Sequence, residues 1–152
     1  VELRRNTPPY NIIDSKKGLA GQGTQSVFAF TAASNGIPYY ISVKHRNAIT
    51  TWNSGAVSFT GNALIYNFVS SASQAYGNNM INSGGMWSFY QGDVNQDEII
   101  DAADVSSVEN DVSITKTGPY LNTDLNCDEI VDASDLSVVD NNSGILVQTL
   151  RP

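Results

Sequence analysis

Two short runs of the chain place oxygen-bearing side chains at repeating intervals. Counting from Asp93, they fall at positions 1, 3, 5, 9 and 12, as Asp93, Asn95, Asp97, Asp101 and Asp104. Counting from Asp124, they fall at the same positions, as Asp124, Asn126, Asp128, Asp132 and Asp135. Over nineteen aligned positions the two runs share eleven identical residues. Side chains at this spacing, with a main-chain carbonyl at position 7, let one loop surround a hard cation with oxygen. Position 7 is Ile99 in the first run and Ile130 in the second, so the expectation is two calcium ions, one per loop.

Two departures bear on that chemistry. Position 6 ordinarily needs glycine for a sharp turn at positive φ, yet Glu98 and Glu129 stand there. A side chain in that region costs on the order of 1 kcal/mol, which predicts weakened sites or an altered turn. Position 12 is Asp where Glu is usual, so bidentate closure of the shell is less assured. At position 8, Ile100 and Val131 are apolar, and the two loops are expected to zip together there through a short antiparallel contact.

The elements around the loops separate two kinds of calcium module. "MWSFYQG" before the first loop is aromatic and strand-prone, and "KTGPYLNT" before the second contains Gly118 and Pro119, so neither forms an entering helix. After each loop, apolar residues recur at helical spacing: Val105, Val108 and Val112, then Leu136 and Val139. Loop followed by helix, twice, resembles a dockerin of the type I repeat kind, over residues 92 to 144. The resemblance implies calcium at the ten side chains named above and at the carbonyls of Ile99 and Ile130. It also implies a protein partner, a cohesin-like receptor read by loop positions 10 and 11, here Ala102, Ala103, Ala133 and Ser134. These four are small, and tight packing is expected of them rather than partner contact.

Charge divides the chain at the same place. Residues 1–91 carry a net +4 and residues 92–142 a net −12. The front part contains "QSVFAF", "IPYYISVKHR", "AVSFT", "ALIYNFV" and "MWSFYQ", separated by "GLAGQG", "ASNG", "NSG", "TGN" and "NSGG". β-branched and aromatic runs at this spacing predict a β-sandwich. The expected class is therefore mainly β with a small α part: a β-sandwich over 1–91 and the dockerin-like pair of calcium loop–helix units over 92–152. The front part resembles the immunoglobulin-like or carboxypeptidase-regulatory-like domains of large secreted bacterial proteins. In "YYISVKHR" the face Tyr39, Ile41, Val43 and His45 is expected to look inward. Asn35-Gly36 signals a tight turn, and "SSASQAYGNN" fits either a short helix or an irregular crossing. The opening "VELRR" reads as a strand, so the chain is taken as a processed product or part of something longer. Such a sandwich could receive a strand from an upstream segment or a neighbouring copy.

Other chemistries find little support. The one histidine, His45, lies in an alternating strand and reads as structural. Cys127 is the single cysteine, which precludes an internal disulfide, and it sits at the non-ligating loop position 4. Most carboxylates belong to the loops, no phosphate-cradling glycine motif follows a strand, and the acidic part repels nucleic acid. "NNS" at Asn141 is a sequon of a kind common by chance. No apolar run is long enough to span a membrane. Trp52, Trp87 and seven tyrosines leave carbohydrate stacking as an alternative, which an exposed flat row including Trp52 would favour. The expected function is a non-catalytic, extracellular or surface-attached assembly module stabilised by calcium at extracellular levels. In one version it self-associates into a fibre by strand addition; in the other it docks into a separate cohesin-like receptor.

Overall fold

A computed structural model describes residues 1–19 and 25–152. The break expected at "GLAGQG" falls mostly on residues outside that description. Nine regular elements follow in order: β1 (Glu2–Arg5), β2 (Ile12–Ser15), β3 (Pro38–His45), β4 (Ala48–Trp52), β5 (Val57–Ser58), β6 (Ile81–Ser83), β7 (Met86–Ser88), α1 (Ala102–Ser113) and α2 (Ala133–Ser143).

The front part is one antiparallel sheet, ordered β2-β1-β3-β4, with β5 pairing the start of β3. The opening strand is thus interior, bonded on both sides. The other sheet among the described residues is the two-stranded β6-β7, which is consistent with the expected mainly-β class but does not by itself make a sandwich. "QSVFAF" and "ALIYNFV" instead run as extended segments without a ladder, and their inward residues Phe30, Leu64, Tyr66 and Phe68 cover a core of Leu3, Tyr39 and Ile41. The alternation is strand-like, with Ile65 and Val69 outward and exposed. Alternation reports which side chains are buried and does not by itself supply a hydrogen-bonding neighbour. The inward face expected for β3 is observed, with Val43 packed against Tyr39 and Ile41.

The Asn35-Gly36 turn forms, with Gly36 at φ 75°. "SSASQAYGNN" becomes two single 3-10 turns, Ala72–Gln74 and Tyr76–Asn78. β6 and β7 form a separate hairpin closed by Gly84 and Gly85, both at positive φ, as a two-residue turn of this hand demands.

β4 is buried along its whole length. Its side chain Ile49 leaves the front core and enters the C-terminal one, joining Val94, Ile100, Val108, Leu125, Val131, Val139 and Val147. The main chain follows suit: Ile49 N–H donates to the Tyr90 carbonyl at 2.9 Å, and Gly92 N–H to that of Asn47 at 2.7 Å. A register shift in β3 between Val43 and His45 precedes the Arg46-Asn47 turn, and bulges of this kind increase local twist. The turn is buried against the C-terminal unit.

Candidate metal centre

Each acid-rich loop runs directly into a helix, and the ligand spacing explains why. Asp101 is the N-cap of α1 and Asp104 its third residue; their side chains bond reciprocally to each other's backbone as a capping box. Asp132 and Asp135 do the same for α2. Positions 9 and 12 of the loop are therefore the cap and third residue of the helix, so the carboxylates spaced for a cation also start the helix. No helix enters either loop, as the sequence implied.

The Asp104 carboxylate is fully buried, and its Oδ1 accepts from the N–H groups of Val94 at 2.9 Å and Asn95 at 3.1 Å. Its Oδ2 accepts from Asp101 N–H at 3.1 Å. Asp135 repeats the pattern with Leu125 at 2.6 Å, Asn126 at 3.1 Å and Asp132 at 3.0 Å. The last carboxylate of each loop thus pins the loop's beginning to its end. Asn95 Oδ1 accepts from Asp97 N–H at 2.9 Å, and Asn126 Oδ1 from Asp128 N–H at 2.9 Å, shaping the turns between. Ile99 and Ile130 follow at position 7, their N–H groups bonded to Asp97 and Asp128, and both are partly exposed.

Carboxylate oxygens of Asp93, Asp97 and Asp104 lie within 4.8 Å of one another. Asp93 is 1% exposed, yet its Oδ1 has no hydrogen-bond partner. A buried carboxylate with an orphaned oxygen, grouped with two further carboxylates, is costly unless a cation or a proton completes it. Burial, and then the charge of Asp104, push the Asp93 carboxyl up to about 6. Burial also raises Asp104. With no nitrogen or sulfur donor in the group, the residues fit a hard cation such as calcium. Of the set expected in the first loop, Asp93, Asp97 and Asp104 are brought together and would hold it, while Asp101, the remaining carboxylate, caps α1 and is not in that group. Asp124, Asn126, Asp128, the Ile130 carbonyl, Asp132 and Asp135 are the counterparts of that set in the second.

Glu98 and Glu129 do take the positive φ that position 6 demands, at 75° and 68°. Position 4 does so as well, Gln96 at 63° and Cys127 at 66°. The turn keeps its shape without glycine.

Two expectations are corrected here. Ile100 and Val131 are fully buried in one core, but the loops are not bonded to each other. Ile99 pairs with Gln148 beyond α2, and Ile130 with Thr117 beyond α1. Without entering helices to set the loops side by side, each loop finds its backbone partner in the extended tail after the other unit's helix. Ala102, Ala103, Ala133 and Ser134, expected to be tightly packed, are exposed. They occupy the first helical turn, whose inward position is taken by Asp104 and Asp135.

Sequence reasoning missed the residues that join the two parts. Asn47, fully buried, donates from Nδ2 to the Asp124 carbonyl at 2.8 Å and contacts His45 Nδ1 through Oδ1 at 2.8 Å. Arg46 donates to the Leu121 carbonyl at 3.1 Å and to Cys127 Sγ at 3.3 Å. Asn142 closes the other side by donating to the Gln91 carbonyl at 2.7 Å. A buried polar turn residue gives no local signal, since its partner lies far along the chain.

Trp52 is 3% exposed, under Arg4, edge-on to Tyr10 and tilted against Tyr40. It offers no flat stacking face, so the condition set for carbohydrate binding is not met at this residue.

Fold and site together define a class, two loop–helix units in series, the first of which gathers three carboxylates that could hold a hard cation. Residues 91–142 match the family model of the dockerin type I domain. That family is one of calcium-dependent protein-docking modules. No curated protein and no solved structure matches the chain. No helix among the described residues is long and apolar enough to cross a membrane.

Proposed function

We propose that this chain is a non-catalytic, extracellular docking module. Its C-terminal part, residues 92–152, binds two calcium ions through the twelve residues named above and presents the helix starts to a cohesin-like receptor. The observation that carries this reading is the buried Asp93 carboxylate, one oxygen of which has no partner, grouped with those of Asp97 and Asp104 within the stretch matched by the dockerin type I family. Exposure of Ala102, Ala103, Ala133 and Ser134 supports the partner side of it. Small exposed residues leave the backbone approachable, and a receptor can supply the larger groups.

Residues 1–91 act in this reading as a rigid carrier. A second reading, self-association into a fibre by strand addition, draws on one observation: among the described residues β2 pairs with β1 alone, and Ile12 on it is 50% exposed. Binding of the purified chain to immobilised cohesin domains, with calcium and with chelator, tests the first reading. Calcium-dependent capture that Ala103→Arg together with Ser134→Arg abolishes is expected. A chain that ignores every cohesin but forms calcium-dependent polymers in light scattering would favour the fibre.

A further inference from the structure

The two loops share a sequence pattern but not an electrostatic environment. In the first, main-chain N–H groups of Asp97 and Glu98 face the Asp93 carboxylate, but its Oδ1 is buried without a partner, and carboxylates of Asp93, Asp97 and Asp104 converge within 4.8 Å. In the second, both oxygens of the equivalent Asp124 accept from the main chain. Its Oδ1 accepts from Cys127 N–H at 2.7 Å and Asp128 N–H at 3.2 Å, and its Oδ2 from Glu129 N–H at 3.1 Å. Among the described residues, the second loop has no carboxylate trio as close as that of the first.

A positive charge adds to the difference. Arg46, on the β3–β4 turn, reaches Cys127 at position 4 of the second loop, between Asn126 and Asp128. Its other partners are a carbonyl and the face of Tyr120, 5.9 Å away, and it enters none of the ion pairs among the described residues. The arginine near the first loop, Arg151, is paired with Glu98 at 3.1 Å. An arginine without a carboxylate partner beside a cation site opposes the cation, and donors already bonded to a carboxylate compete with it for the same lone pairs.

We propose that the loops are inequivalent: the first fills first and more tightly, and the second is a weaker site held down by Arg46 from the sheet. The proposal rests on the reading that both loops bind calcium. A cation entering the first loop removes mutual repulsion and satisfies a carboxylate that has an orphaned oxygen. In the second it must share a carboxylate already engaged, next to a guanidinium.

Amide NMR of the whole wild-type chain, titrated with calcium from the chelated state, reads each loop separately. The amides of Gln96 and Glu98 are expected to complete their shifts at a calcium concentration roughly tenfold below that needed by Cys127 and Glu129, equivalent to about 1.4 kcal/mol. Arg46→Gln is expected to narrow that gap several-fold by tightening the second site. Simultaneous shifts, or the second loop leading, would overturn the order, and an unchanged gap in Arg46→Gln would remove the role given to that residue. A chain in which no loop amide responds to calcium would instead refute the calcium reading itself, a result distinct from equal sites. The wild-type titration stands even where a variant folds poorly.

Discussion

Asp93 concentrates the chemistry of the first loop in one side chain. Its carboxyl, pushed up to about 6 by burial and by Asp104, must lose its proton before it can ligate. Calcium binding is therefore expected to weaken as pH falls through 6. In the metal-free chain the sign is opposite: a raised carboxyl favours the folded state when protonated, so its contribution is present at low pH and lost as pH rises through 6. His45 runs the other way, since burial lowers it and stability is lost as it gains a proton. That contribution is common to calcium-bound and chelated protein and drops out of their difference. The gap in melting temperature between the two is thus expected to shrink from pH 7 to pH 5, measured by calorimetry. A gap of constant size would show that Asp93 is not displacing a proton for calcium. Asp93→Asn, which keeps shape and removes charge, should abolish most of the gap at pH 7.

At the scale of elements, the loops pay for their turns in backbone strain. Glu129 at φ 68° donates its N–H to Asp124 and makes no ion pair among the described residues, so Glu129→Gly is expected to stabilise the calcium-bound chain by about 0.5–1 kcal/mol in urea unfolding. Glu98→Gly should gain less, because its side chain pairs with Arg151. Gly92 is the reverse case. It sits at φ 126° where an added Cβ would lie 3.0 Å from Ile100 Cγ2 and 3.3 Å from Val139 Cγ2. Gly92→Ala is expected to cost about 2–4 kcal/mol, combining strain with overpacking between the first loop and α2. A neutral effect in the same urea measurement would mean that the segment joining β7 to the first loop can shift freely.

For the whole molecule, the sheet and the calcium unit are predicted to unfold together. Ile49 belongs by sequence to β4 and by packing to the C-terminal core, and Asn47 ties the hairpin turn to Asp124. Ile49→Ala is expected to cost about 3 kcal/mol, and Asn47→Ala about 1–3 kcal/mol by stranding a buried carbonyl. Chelation should lower Trp fluorescence and helical circular-dichroism transitions by the same amount, since Trp52 lies in β4. Two separate transitions, with only the helical one sensitive to calcium, would refute this coupling.

The acid-rich loops and the helices after them were legible in the sequence, because both depend on residues within a dozen positions of one another. Asp101 and Asp104 fix the helix start through contacts one turn apart. The strand content of β3 and its inward face were equally local. What lay beyond the sequence was pairing at a distance. "ALIYNFV" shows the right alternation but finds no ladder, and Ile99 bonds to Gln148 and not to its twin loop. The difference between Asp93 and Asp124 is also tertiary, since identical residues at identical positions meet different neighbours. Side-chain pattern specifies which groups are to be buried; only the folded chain decides which distant donor, charge or core receives them.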